Sequence, residues 1–171
     1  MNPVIEINDQ TFQQNLSKLK SKMSDLTPFF RDIGNLIENQ ARSSFNKEAS
    51  PSGASWKPSQ RKIKKGGKTL TKDGHLVGSL NYQYGKNFAT IGVNRPYAGM
   101  HQFGGKYTIN VPAHQRRMTH VWGKKVPVYT QNVRAHSKSV NMPKRAYLPE
   151  NESQIKWAQV QEIFNFYMNN Y

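Results

Sequence analysis

The sequence predicts an α+β fold: a small antiparallel sheet with two N-terminal helices, a C-terminal helix and a long basic β-hairpin arm. Three observations predict it. Apolar residues recur every three to four positions from Phe12 to Phe45 and again from Ile155 to Tyr167, which is the helical period. Between Tyr82 and Thr130 they alternate instead, which is the strand period. The positive charge lies between these helical flanks: residues 49–149 hold eighteen Lys/Arg and a single acid, Asp73, whereas the flanks are slightly acidic.

Taken in order, Val4-Ile5-Glu6-Ile7 alternates weakly and suits a short edge strand over residues 3–8. Asn8 or Asp9 is placed to cap a first helix carrying Phe12, Leu16, Leu19, Met23 and Leu26 on one face. Thr27-Pro28 reads as an N-cap followed by proline at the first helical position. The second helix then carries Phe29, Phe30, Ile33, Leu36, Ile37, Ala41 and Phe45. Spanning 28 to 46, it is roughly 28 Å long, with Gly34 as a weak point.

Residues 50–70 form a basic loop by composition, with Lys62, Lys64 and Lys65 at its centre. Trp56 is out of place in such a loop and is expected to anchor it on the body or on a neighbouring subunit. Asp73 to Leu80 leads into a hairpin in which Tyr82 and Tyr84 face the 88–93 alternation across Gly85-Lys86-Asn87. Next comes Arg95-Pro96-Tyr97-Ala98-Gly99-Met100-His101-Gln102-Phe103-Gly104-Gly105, a short helical turn capped by Asn94 and stopped by the glycines. Its plain reading is a tight connection whose aromatics pack on the core.

The hairpin arm follows over 107–138. Tyr107, Ile109 and Val111 alternate, as do Val126, Val128 and Thr130. Val111-Pro112-Ala113-His114-Gln115-Arg116 and Val133-Arg134-Ala135-His136-Ser137-Lys138 share the pattern V-x-A-H-x-[RK]. Folded about a turn near Trp122-Gly123, the two copies face each other and gather His114, His136, Arg116, Arg117, Arg134 and Lys138. Pro143 to Pro149 is extended. Asn151 and Gln154 resemble a capping box opening a last helix with Ile155, Ala158, Ile163, Phe166 and Tyr167 on its apolar face, beside Trp157 and Phe164.

Several chemistries fit poorly. The chain has 171 residues, 36% of them hydrophobic, which suits a single domain, 1–171, with one modest core. It has no cysteine, hence no disulfide scaffold and no thiolate zinc site. No apolar run approaches the roughly 20 residues of a membrane span, and the N-terminus lacks the pattern of a signal peptide. Paired-carboxylate hydrolysis lacks its carboxylates in the central block. Gly66-Gly67-Lys68-Thr69 ends like a phosphate-binding loop, but Lys62 stands where the first glycine belongs. His101, His114 and His136 are too far apart for a local metal motif. No catalytic residue, metal or cofactor is expected. A net charge of +15 calls for a polyanion or an acidic protein surface, and nucleic-acid binding is the strongest generic function.

Four patterns occur in one order: Pro51-x-Gly53-x-x-Trp56; Asp73-Gly74-x-Leu76-x-x-Ser79-Leu80; Tyr97-Ala98-x-x-His101-Gln102-Phe103-Gly104; and Pro143-x-Arg145-x-Tyr147-Leu148. With the flanking helices, this resembles the virion-morphogenesis (tail-completion) family of Mu-like tailed phages from about residue 10 to 167. Asp73 stands where that family often has threonine. The resemblance implies a non-enzymatic structural protein of the tail-completion or neck class, located in the virion and assembled in the bacterial cytoplasm. It implies a ring, a hexamer being the expectation, joined to adjacent neck and tail proteins and not to a membrane. Trp56, Gly74, Leu76, Tyr97, Ala98, His101, Gln102, Phe103, Gly104 and Arg145 are then structural motif residues. Lys62, Lys64, Lys65, Arg116, Arg117, Arg134 and Lys138 are candidate contacts, facing either packaged DNA or acidic neighbours. The alternative is a free basic nucleic-acid-binding protein.

Overall fold

A computed structural model describes residues 9–170; the edge strand expected over residues 3–8 lies outside them. The chain divides into a body, up to Gly104 and again from Pro143, and a second unit, Gly105–Met142.

In the body, α1 spans Gln10–Lys22 and α2 spans Thr27–Lys47. The Asp9 carboxylate accepts from the Phe12 amide at 2.8 Å, satisfying one of the free donors at the start of α1. Thr27 is not the cap of α2 but its first residue. The Asp25 carboxylate takes over, accepting from both the amide and the hydroxyl of Thr27. The long helix serves two cores. Its first half puts Phe29, Phe30 and Ile33 among Leu19, Met23, Leu26 and the last helix, α5, Trp157–Asn170. Its second half puts Ala41 and Phe45 among Trp56, Leu76, Leu80, Ala98, Tyr147 and Leu148. Gly34 lies between the two. A Cβ there would stand 2.4 Å from the Tyr82 ring, so the hairpin approaches α2 where the helix has no side chain.

The basic loop is more ordered than its composition suggests. Glu48 turns the chain in the left-handed region, and an isolated bridge pairs Ala49 with Ser55. A short helix, α3, then covers Gln60–Lys65, capped by the Ser59 hydroxyl accepting from the Lys62 amide. A 3-10 turn, Val77–Ser79, leads into the expected hairpin, β1 (Leu80–Tyr84) against β2 (Ala89–Val93). The short helix α4 covers Ala98–Phe103 and stops at Gly104 as expected, but Asn94 does not cap it. Instead the Ala98 amide donates to the Arg95 carbonyl, a turn that proline's fixed φ at 96 favours.

The C-terminal capping box is half formed and displaced. Gln154 reaches back to accept from the Glu150 amide, but this closes a 3-10 turn, Glu152–Gln154. Helix α5 starts only at Trp157, and its buried face is Val160, Phe164 and Tyr167. Phe166, expected inside, is exposed. The buried stripe runs through 160, 164 and 167, three to four residues apart, and the Tyr167 hydroxyl donates to the Asp32 carboxylate at 2.8 Å.

The second unit is one antiparallel ribbon built of two strand pairs. Strand β3 (Gly105–Val111) pairs with β6 (His136–Met142), and β4 (His114–Val121) pairs with β5 (Lys124–Val133). The register aligns Val111 with His136 and His114 with Val133, so the two V-x-A-H copies do face each other. Each breaks the ladder at its middle pair, and each histidine Nδ1 lies about 3 Å from the backbone carbonyl two residues before it. The turn is Trp122-Gly123, both at positive φ. Those signs identify the tight two-residue hairpin turn whose twist matches its strands. An irregularity opposite Thr119 admits Val126-Pro127-Val128, where proline has no amide to give the ladder.

Candidate functional site

The motif residues of the body converge on one junction. Gln102 is fully buried at its centre. Its Oε1 accepts from the amides of Tyr147 and Leu148 at 3.0 and 3.1 Å, and its Nε2 donates to the Leu148 carbonyl at 3.0 Å. One step earlier the Arg145 amide donates to the His101 carbonyl at 2.8 Å. Helix α4 and the 145–148 segment are thus laced together by one side chain and one backbone bond. Only an amide of that length both accepts twice and donates at this place.

The other members support the lace. Arg145 is buried, and its Nε donates to the Lys57 carbonyl at 2.7 Å, tying the 57–58 chain to the junction. Burial lowers its pKa from the ordinary guanidinium value. The Trp56 indole donates to the Ala146 carbonyl at 2.9 Å and meets Phe45 edge-on. The Tyr147 hydroxyl donates to the Ala98 carbonyl at 3.3 Å, and burial raises that phenol to about 12. Gly104 is obligatory: its φ is +63°, and a Cβ would stand 2.6 Å from the Lys144 nitrogen. Leu76 is core, and Gly74 has a φ of +70° in the loop before it.

Two motif residues behave differently. Phe103 is exposed. His101 is half-buried beside Tyr97, and its Nδ1 has no hydrogen-bond partner. Burial first, and the charge of Arg145 second, lower its pKa, which favours the neutral ring. His101 and Tyr97 border a cavity of about 250 Å³ that Arg61, Lys72, Asp73 and His75 share. No group of three or more His, Asp or Glu among the described residues is arranged to hold a metal ion.

The candidate cations fall in two places. In the body, Lys64 and Lys65 are exposed on α3. Lys62 instead pairs with the Glu48 carboxylate, which also accepts from the Thr69 amide. Glu48 is not among the candidates, and its pKa is pulled down to about 2, first by the Lys62 hydrogen bond. The remaining candidates lie on the ribbon, where Arg116, Arg117, Arg134 and Lys138 are all exposed. They do not form one cluster: Arg116 stands opposite Gln131, Arg117 opposite Thr130 and Lys138 opposite Ile109. The ribbon tip adds a residue that charge counting overlooks, Trp122, 97% exposed.

A model of the phage virion morphogenesis family matches residues 7–170. Two proteins of a Mu-like prophage of Haemophilus influenzae (strain ATCC 51907 / DSM 11121 / KW20 / Rd) are similar. FluMu G protein 2 is 34% identical over 103 residues, covering 60% of this chain and 70% of its own. FluMu G protein 1 is 33% identical over 110 residues, covering 58% of this chain and 73% of its own. No solved structure matches the chain at a significant level.

Proposed function

This chain belongs to the phage virion morphogenesis family, and from that membership we propose that it is a non-enzymatic structural component of the virion, of the tail-completion or neck class, that works as a closed ring of identical copies. Adjacent tail and neck proteins are its further partners. The observation that carries the assembly is the proximal ribbon. Its register places Tyr107, Ile109 and Val111 on one face with Val140 and Met142, and with His136 and Lys138 between and beside them. None of the five apolar residues is buried within the chain, and Ile109 is 43% exposed. A neighbouring copy is the occupant proposed for this face. The motif junction supports a structural role, since the side chains of Gln102, Arg145 and Trp56 hold backbone carbonyls and amides.

Light scattering on nuclease-treated protein tests this across protein and salt concentrations. The expected result is a discrete closed oligomer, six copies being the simplest form, that Ile109→Asp with Val140→Asp reduces to monomer. A monomer under every condition, or an oligomer indifferent to those two substitutions, would overturn the ring built on this face.

A further inference from the structure

We propose that the distal half of the ribbon, β4, its turn and β5, is an arm that lies in the major groove of double-stranded DNA, with Trp122 making the apolar contact to the bases at its tip. This goes beyond the ring and does not depend on it.

Charge is the first argument. Residues 105–142 carry seven Lys/Arg and no acid. Five of the seven, Arg116, Arg117, Lys124, Lys125 and Arg134, lie in the distal half or at its root, and none has an acidic partner within the ribbon. A second distal half laid against this one would repel it, so this part of the ribbon is not built to meet itself.

Shape is the second. No residue of the distal half, 114–133, is buried. Two strands lie about 4.8 Å apart, and a major groove about 12 Å wide admits such a ribbon. The cations are also spread along it. Arg116 stands six residues behind Trp122, roughly 20 Å at strand rise. Arg116-Arg117 and Lys124-Lys125 are adjacent strand residues and so point to opposite faces; a flat lipid surface meets one face at a time, whereas a groove encloses both.

The third argument is Trp122 itself. It occupies a turn position with φ +52°, where asparagine, aspartate or glycine is the undemanding choice. A bulky side chain there costs about 1–2 kcal/mol. At 97% exposure, packing within the chain returns nothing. Neither turn preference nor burial accounts for an indole at this point, and contact with a partner does.

A mobility-shift titration of the full-length protein on a duplex of about 30 base pairs, over a salt series, reads both terms. Each neutralised phosphate contributes about −0.9 to the slope of log affinity against log salt. The native protein is expected to show a slope of about −4 to −5. Arg116→Ser with Arg117→Ser should flatten it by about 2 units, and Arg116→Lys with Arg117→Lys should leave it unchanged. Trp122→Ala should weaken binding about tenfold with no change in slope. Circular dichroism on each variant verifies that the ribbon remains. No complex at about 50 mM salt would overturn the proposal. So would a slope that ignores the arginines, which would put the contact on Lys57–Lys68, or an affinity that ignores Trp122. Sedimentation with anionic vesicles without a DNA complex would assign the arm to membranes and overturn it equally.

Discussion

At the residue scale the junction rests on Gln102. Replacing it with alanine removes three buried hydrogen bonds and strands two amides and a carbonyl. We expect a loss of about 3 kcal/mol or more, measured as the denaturant midpoint. Gln102→Glu keeps the acceptor but turns the Nε2 donor into an oxygen facing the Leu148 carbonyl, so it should destabilise as well. Gly104→Ala should rival both, because left-handed backbone and a backbone clash coincide there. Glu48 gives a pH signature. Its folded pKa, about 2, lies below its ordinary value of 4.5. The stability it contributes is therefore complete above about pH 4.5 and is lost as pH falls towards 2. Glu48→Gln should lower the melting temperature at neutral pH, and the gap to the native protein should close across that window. A gap independent of pH would mean that the Lys62 pair does not stabilise the fold.

At the scale of elements, most of what depends on apolar spacing and turn residues was legible in the sequence, the buried face of α5 excepted. Helices α1 and α2, the β1–β2 hairpin and the facing V-x-A-H copies follow from apolar spacing and turn residues. What failed was the choice among neighbouring groups, several of which compete within a few residues to satisfy the same helix end. Asn94 lost the cap of α4 to the Arg95 carbonyl, Asp25 rather than Thr27 serves the first amide of α2, and α5 buries Val160 and Phe164 rather than Phe166. Gly34 looked like a flaw and is where Tyr82 crosses the helix. Gly34→Ala should therefore cost about 1–3 kcal/mol from overpacking, although alanine is the better helix former. The turn of the ribbon gives the opposite expectation. Trp122→Asn should leave the melting temperature equal or higher, since asparagine accepts positive φ and no packing is lost. A drop of several degrees would mean that the indole packs within the chain. The role of the motif junction was only half visible: the patterns could be listed, but Gln102 as the tie between two of them is a three-dimensional fact.

At the scale of the whole molecule, the acidic flanks and the basic centre set the conditions under which the protein behaves. A net charge of +15 makes solubility and self-association depend on salt, so the oligomer sought by light scattering should be compared between low and moderate ionic strength. The lace between α4 and the 145–148 segment has one more consequence. It fastens together the two stretches of body chain from which the 38 residues of 105–142 depart and to which they return. The body therefore sees the insertion as a loop already closed at its base. Closing a loop costs only about 0.6 kcal/mol more for each doubling of its length. Excising 106–141 in favour of a few glycines should leave the body folded, and lengthening the insertion should be nearly as harmless. The appendage is in effect an interchangeable tool on a fixed handle, free to change in reach and chemistry from one relative to the next without renegotiating the core.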